Sequence, residues 1–444
     1  MFSLLQRSIE HLASVHYRGN LAPRAEEYDF LRRQGFEITP ASAGNDAHWR
    51  LTLGHPQAGE AELFAGKAAI PLQREWVQVC ASLTQREKDE LAAGGTGVTV
   101  RLRSKKGSVL RDRKNLFKVA HAVMGDDAVG MADHGSELFW SRAGLADELS
   151  LPGDPDVSVL YCIHAVVPNP EEGGADEEET PYWLHTHGLE GIGAFDYDIL
   201  KPSPGLAEHC EDPMRCLAYF AVEGEAKVDT PRLEFASPGG AVRCVPAKEF
   251  HQRASEADRK LHDLATHGGK RAVLCECSGL GARLFGSVRL SRFLSKVDPD
   301  GIVLHFSKAA SEAMAAKARA TVKSFAALRE ELRDFEAVAV AKFGYPMDHD
   351  SDSQEHLWFE VHDVRETTMD ATLVNQPHDI ARMKPGDRGE HPIERLTEWT
   401  LITPAGKVSA HNRLPLRRLR EDPERARAIV AEANRLAREE GGGA

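Results

Sequence analysis

Residues 182–200 read YWLHTHGLEGIGAFDYDIL, and this stretch decides how the central part of the chain folds. Two runs in which apolar and polar side chains alternate, residues 182–187 and 194–199, flank a linker that contains three glycines. A period of two is typical of β-strands, and glycine tolerates the positive φ that chain reversals need. The stretch therefore predicts an antiparallel hairpin.

The predicted hairpin collects four candidate metal ligands on one face. His185 and His187 point to one side of the first strand, and Asp196 and Asp198 share one side of the second. Phe195 and its apolar neighbours take the opposite side, which we expect to face a core. Because a slip by one residue would reverse the faces, the apolar face should fix the register. We expect a register in which His185 lies opposite Asp196.

Imidazole and carboxylate groups in one cluster suit zinc, iron or manganese, and a His–Asp pair also suits general acid–base chemistry. The spacing of His185, His187 and Asp198 is similar to the ligand pattern of the JAMM metalloproteases, although Gly188 and Phe195 stand where that pattern has proline and serine. The alternative is a solvated polar face of a structural hairpin, in which each cross-strand His–Asp pair contributes about 0.2–1 kcal/mol. The spacing leaves both interpretations open.

The composition is that of a soluble globular protein. The chain has 444 residues, of which 42% are hydrophobic and 28% charged, and its formal net charge is -13. This length favours two or three domains. The negative charge disfavours binding to nucleic acid and to anionic membranes. Seven cysteines, an odd number, and a first segment that makes a poor signal peptide indicate reduced thiols and a cytoplasmic location.

The pattern along the chain predicts an α+β fold. We expect an N-terminal α/β segment at 1–70, a central α+β module at 71–295, a C-terminal α+β module at 305–420, and a charged terminal helix with a tail at 421–444. The first two regions should contain mixed sheets with flanking helices. The C-terminal domain should be small and mostly β, because short strands recur at regular spacing, and a long helix should join it to the preceding module.

Five local expectations accompany this outline. Residues 76–83 resemble a strand, and the nearly continuous apolar run VSVLYCIHAVV at 157–167 predicts a strand at the centre of a sheet. Residues 307–335, rich in Ala, Lys, Arg and Glu, predict one long helix. The acidic stretch at 168–180 predicts an exposed loop, and residues 279–286 predict a loop without the glycine spacing of a dinucleotide site.

Motifs in the C-terminal module resemble domain of unknown function 2314: EHLWFEV at 355–361, LVNQP at 373–377, KPGD at 384–387 and EW at 398–399. Upstream, LYCIH at 160–164, WLHTHGL at 183–189 and FDYDIL at 195–200 resemble domain of unknown function 4026. The resemblance implies a soluble bacterial protein of two modules and no assigned activity. Similar modules occur near toxin–immunity genes, which implies a protein partner.

Two functions follow from these observations. The first is a protein- or ligand-binding pair of modules, related to toxin–immunity systems through the resemblance. The second is a metal-dependent hydrolase that uses His185, His187 and Asp198, with Asp196 as a bridging or supporting group. The only cofactor that the sequence suggests is a divalent metal ion at these four residues.

Overall fold

The computed structural model describes residues 9–19, 23–66, 72–103, 109–166, 182–202, 210–223, 232–234, 241–264, 268–277, 307–350 and 353–441. The chain divides into two compact units. The first consists of Met1–Cys80, Asp89–Arg142 and Asp154–Ser307, and the second of Ala81–Lys88, Ala143–Gly153 and Lys308–Ala444. The loops predicted at 168–180 and 279–286 lie outside the described residues.

The first sheet of the first unit has seven described strands in the order β2-β3-β4-β5-β1-β6-β7, and all neighbouring pairs are antiparallel. Helix α3 turns its apolar face toward β1, because Leu116, Val119 and Val123 recur at helical spacing and are buried. In chain order the elements of this stretch are β1 (Glu10–Tyr17), a 3₁₀ helix (Ala25–Gln34), β2 (Glu37–Ala41), β3 (Trp49–His55), β4 (Gly59–Ala65), α1 (Arg74–Val79), α2 (Gln85–Ala93), β5 (Gly97–Arg103), α3 (Val109–Met124), β6 (Ala128–Asp133), β7 (Leu138–Ser141) and α4 (Arg142–Ser150). The first residues of α2 and nearly all of α4 belong to the second unit.

The second sheet carries the hairpin with which the sequence analysis began. Its described strands have the order β11-β12-β13-β10-β9-β8, and β10 runs parallel to β13 while the other pairs are antiparallel. Its elements are a 3₁₀ helix (Val157–Leu160), β8 (Cys162–Val166), β9 (Trp183–His187), a 3₁₀ turn (Leu189–Ile192), β10 (Asp196–Leu200), α5 (Glu211–Val222), β11 (Arg232–Glu234), β12 (Ala241–Pro246), α6 (Ala247–Arg253), α7 (Glu256–Leu261) and β13 (Arg271–Cys277).

One face of this second sheet is covered by helices α6 and α7. Trp183 of β9 packs in a core with Phe250 of α6 and Leu261 of α7. His185 and His187 follow Trp183 at intervals of two, so they point to the same covered side. His185 and Asp198 are fully buried. A solvated face therefore does not describe His185 and Asp198, whereas His187 is partly exposed.

The second unit is built on a six-stranded sheet in the order β17-β16-β15-β14-β18-β19, and its described strands all pair antiparallel. Alternate residues of the strands, among them Phe343, Phe359 and Trp399, form a core with Phe325 and Leu328. The elements are α8 (Lys308–Ala320), α9 (Val322–Glu331), β14 (Val338–Pro346), β15 (Gln354–Val364), β16 (Thr368–Leu373), β17 (Arg388–Pro392), β18 (Leu396–Thr403), β19 (Gly406–Ser409), α10 (Leu414–Glu421) and α11 (Pro423–Gly441).

The single helix expected at 307–335 is two helices that meet at Thr321. There φ is -105° and ψ is 8°, outside the helical range. The Thr321 hydroxyl donates to Lys317 O (2.8 Å) and accepts from Trp399 Nε1 (2.9 Å). A threonine side chain that competes for backbone partners weakens a helix interior, and the buried indole stabilises the break.

The α+β fold class is confirmed, as is a C-terminal sheet that follows helices. Besides the single long helix, two further local predictions are wrong. Residues 76–79 belong to α1 and not to a strand, because within this helix Val77 is buried while Trp76 and Val79 are exposed. Residues 157–167 begin with a 3₁₀ helix, capped by the Asp156 carboxylate, and continue as the edge strand β8. Among the described residues no helix has the length and apolar character needed to cross a membrane.

Candidate metal centre

The hairpin is antiparallel, with a register that differs from the expected one. His185 lies opposite Asp198, not opposite Asp196. The expectation failed because the link between the strands contains a 3₁₀ turn, Leu189–Ile192, whose first N–H groups bind the Asp196 carboxylate, so Asp196 lies at the turn and not opposite His185. A shift by two residues keeps the faces unchanged, so Asp198 and His185 still point to the same side of the sheet.

The turn of the hairpin depends on Gly188. Its φ of +125° lies in the range that favours glycine. A Cβ atom there would lie 2.3 Å from Leu160 O and 2.8 Å from Gly135 O, and both obstacles are backbone atoms. No other residue fits without moving the chain, so this glycine fixes how closely β9 approaches the segments before it.

Asp196 organises the same turn from the other side. Its carboxylate accepts from the Thr186 hydroxyl (2.9 Å) and from the backbone N–H groups of Leu189 (3.1 Å) and Glu190 (3.3 Å). These bonds satisfy the first N–H groups of the 3₁₀ turn. Burial raises the pKa of Asp196, while Arg271 and these donors oppose the rise. The role of Asp196 in this geometry is to hold the turn.

Asp198 lies in a buried polar network. Arg271 Nε is 3.1 Å from each of its carboxylate oxygens, and His262 Nε2 lies 2.9 Å from Oδ2. The other ring nitrogen of His262 lies 3.0 Å from His251 Nε2, and Arg271 also donates to Thr186 O (3.1 Å). The carboxylate is thus neutralised and hydrogen-bonded by the protein itself, as a buried charge requires.

Three histidines form a cluster beside this network. His164 of β8 lies directly opposite His185 of β9, and His187 lies two residues further along β9. Each of the three rings offers one nitrogen as a ligand atom, and these three nitrogens lie within 4.8 Å of one another. The ring centroids are 4.7 Å apart for His185 and His187, 5.2 Å for His164 and His187, and 5.5 Å for His164 and His185. Neighbouring strands thus supply a compact set of imidazole ligands.

Glu137 and Cys162 lie at the margin of the histidine cluster. The Glu137 carboxylate oxygens are 3.8 Å from His187 Nδ1 and 4.0 Å from His164 Nδ1. Burial raises the pKa of Glu137 to about 7, to which nearby Asp196 also contributes. Cys162 Sγ lies 3.2 Å from His164 Nε2, and burial raises the pKa of this thiol well above its ordinary value. Glu137, Cys162 and His164 form a second group of ligand atoms within 4.8 Å.

The cluster is closed on one side and accessible on the other. The side chain of His185 is fully buried, while those of His164, His187 and Glu137 are 33%, 27% and 22% exposed. The half-exposed Trp76 ring lies edge-on to His164, with 6.4 Å between ring centroids. A small ligand can therefore approach from the side of His164 and His187.

The structure brings together two of the four residues that the sequence suggested as metal ligands. His185 and His187 belong to the cluster, whereas Asp196 and Asp198 bind the turn and Arg271. Sequence reasoning missed His164, Cys162 and Glu137. For the first two a signal existed, since they alternate in YCIH at 161–164 as the histidines do in HTH. For Glu137 there was none, because its left-handed backbone, with φ +55°, depends on tertiary context.

Comparisons with known proteins bear on the second unit. No curated protein and no solved structure matches the chain. The central resemblance to domain of unknown function 4026 stays a prediction, and the candidate metal centre lies outside the one stretch that a family model matches. That stretch, residues 308–426, matches the family described as "Uncharacterized protein conserved in bacteria (DUF2314)".

Proposed function

We propose that the first unit binds a divalent metal ion through His164, His185 and His187 and uses it in metal-assisted hydrolysis. The observation that carries the proposal is the convergence of three imidazoles from adjacent strands beside a carboxylate. Three histidine ligands with a fourth position open are typical of catalytic zinc sites. The proposal keeps two residues of the sequence hypothesis, His185 and His187, and replaces the aspartates with His164.

The donor set favours zinc. Imidazole nitrogen suits zinc, copper, iron and nickel better than magnesium or calcium, which prefer oxygen ligands. Ligand atoms roughly 2.0–2.1 Å from a tetrahedral zinc ion lie about 3.3 Å from one another. The three nitrogens already lie within 4.8 Å. Small rotations of the partly exposed rings of His164 and His187 would complete the geometry.

Glu137 supplies a proton acceptor for this chemistry. A zinc ion at the site would provide Lewis acidity and a water of lowered pKa. A general base must lie within reach of the water from which it takes a proton, and the Glu137 carboxylate lies at the margin of the cluster, 3.8 Å from His187 Nδ1. Its oxygens are too far from the histidine nitrogens for hydrogen bonds, so the carboxylate can turn toward a bound water.

Metal analysis of protein purified without chelators tests the proposal. We expect one zinc ion per chain in the wild type, loss of zinc in the His185→Ala/His187→Ala variant, and retention in the His251→Ala control, whose histidine lies outside the cluster. A Glu137→Gln variant should keep zinc and lose at least about 100-fold in hydrolysis of an activated ester. A wild type without metal after incubation with zinc would refute the proposal.

A second function, binding of a soluble partner protein, is supported by the second unit. Val338 and Ile402 lie opposite each other on neighbouring strands, on the sheet face away from the core, and are 45% and 44% exposed. Trp358 lies on the same face beneath the Lys342 ammonium group, 5.0 Å from it. Paired apolar residues on an open sheet face are typical of interaction surfaces. This supports a binding role. The cytoplasmic location remains the expectation from the cysteines, and the toxin–immunity setting rests on the resemblance.

Affinity capture from a bacterial lysate tests the second function. The wild type should recover one partner in stoichiometric amount, and the Val338→Ser/Ile402→Ser variant should lose it. Glu330→Gln, which changes an exposed charge on helix α9, serves as the control that keeps the partner. If the double variant recovers the same protein as the wild type, this face is not the binding surface.

A further inference from the structure

Cys162 lies beside the histidine cluster, in a second group of possible ligand atoms that shares His164 with it. It lies directly opposite His187 in the β8–β9 ladder, so both side chains point to the same side of the sheet. Its sulfur is 3.2 Å from His164 Nε2. Cys162 also shares a group of possible ligand atoms with Glu137 and His164. The sulfur and the histidine cluster therefore share one ligand, His164.

The measured separation fits coordination of a single ion. A thiolate binds zinc at roughly 2.3 Å and an imidazole nitrogen at roughly 2.0–2.1 Å, so in a tetrahedron the two atoms lie about 3.6 Å apart. The observed 3.2 Å between Cys162 Sγ and His164 Nε2 is within a few tenths of an ångström of that spacing. With His164 Nε2 directed to the ion, His164 Nδ1 lies on the side of Glu137, 4.0 Å from its carboxylate.

We propose that Cys162 is a displaceable fourth ligand that closes the metal centre when no substrate is present. This inference rests on the proposed function, since it requires the metal at His164, His185 and His187. The thiol gives its proton to solvent when the sulfur binds. Four protein ligands leave no position for water, as in structural zinc sites, whereas release of the sulfur restores the open position of a catalytic site.

Cobalt substitution tests this arrangement without a substrate. Cobalt(II) in a tetrahedral site gives visible d–d bands, and a thiolate ligand adds a near-ultraviolet charge-transfer band. We expect both in the wild type, both in the Cys216→Ser control, and d–d bands alone in Cys162→Ser. Added azide should shift the d–d bands of Cys162→Ser and leave those of the wild type unchanged.

A second measurement uses the wild type, so that its result does not depend on whether the Cys162→Ser variant folds. Zinc should protect Cys162 from alkylation, mapped by peptide mass spectrometry, in the wild type and not in the His185→Ala/His187→Ala variant. Wild-type d–d bands without the charge-transfer band, or Cys162 unprotected by zinc, would overturn the role of Cys162 and leave the three-histidine site intact. A wild type without any cobalt bands would overturn the metal site itself.

Discussion

Arg271 and Asp198 form a buried ion pair in which the guanidinium Nε lies 3.1 Å from both carboxylate oxygens. They come from parallel neighbours, β13 and β10, and Arg271 also binds Thr186 O at the end of β9. One guanidinium thus ties three elements of the sheet together. A carboxylate that already has these partners is poorly placed to leave them for a metal ion, which is why we assign Asp198 to the structure rather than to the ligand set.

Replacement of Asp198 by alanine should destabilise the first unit strongly. It leaves the Arg271 charge buried without its carboxylate, and loss of one partner of a buried pair costs about 3–5 kcal/mol. Urea unfolding should show this loss, while Glu249→Gln, which breaks an exposed pair with Arg253, should cost less than about 1 kcal/mol. Folded Asp198→Ala protein should still bind zinc. Loss of zinc at unchanged stability would instead make Asp198 a ligand.

The sequence predicted more of the fold than of the site. Period-two alternation identified both hairpin strands, because each strand has one face on a core. Alternation also placed His185 and His187 together on one face. It could not predict the register, because that depends on the bonds between the Asp196 carboxylate and the backbone N–H groups of Leu189 and Glu190, which alternation does not encode.

For a similar reason, local sequence patterns could not predict the hydrogen-bond partners of the site residues. Arg271 reaches Asp198 across 73 residues of sequence, and Asp196 bonds to a turn whose shape requires Gly188. Strand β8 was misjudged because an apolar run predicts burial without saying whether a strand is central or at an edge. The edge position matters, because it leaves His164 partly exposed.

Replacement of His164 by alanine should reduce zinc affinity by more than 100-fold. Loss of an outer partner of a ligand costs roughly 10–100-fold, and loss of a ligand itself should exceed that. Competition titration with a fluorescent chelator measures the change, with His251→Ala as the matched control. Equal zinc affinity in wild type and His164→Ala would remove His164 from the ligand set.

Replacement of Thr321 by valine should destabilise the second unit by about 1–3 kcal/mol. The change leaves the buried Trp399 Nε1 without its acceptor, and an unsatisfied buried donor costs that much. Thermal unfolding followed by tryptophan fluorescence is suitable, because Trp399 itself reports on the break between α8 and α9. Thr367→Val, on a turn between strands, is the control, and an equal effect of both changes would contradict the role of Thr321.

Acid should destabilise the first unit through two buried histidines. Burial lowers the pKa of His11 and of His16 from 6.5 to about 4, with Arg113 and His134 respectively as further causes. Below pH 6.5 the unfolded chain binds protons at these residues that the folded chain does not. The free energy of unfolding should therefore fall as the pH drops toward about 4, by up to about 1.4 kcal/mol per pH unit for each histidine.

The variant His16→Gln isolates this effect. It lacks one of the two titrating groups, so its stability relative to the wild type should improve steadily as the pH falls from about 6.5 to about 4. Urea midpoints at a series of pH values give the comparison. A constant difference between variant and wild type across this range would show that His16 titrates alike in the folded and unfolded chains.

The order in which Asp198 and Arg271 are synthesised has a consequence for the newborn chain. At about 5–20 residues per second, a ribosome needs roughly 4–15 s to add the 73 residues between them. Until Arg271 emerges from the ribosome, closure of the sheet would bury the charged Asp198 carboxylate without its guanidinium partner. We therefore expect the hairpin to stay exposed to solvent, with its histidines accessible, until that point. Nascent chains arrested before residue 271 should accordingly be bound by chaperones and cut by proteases, whereas chains extended past β13 should resist both.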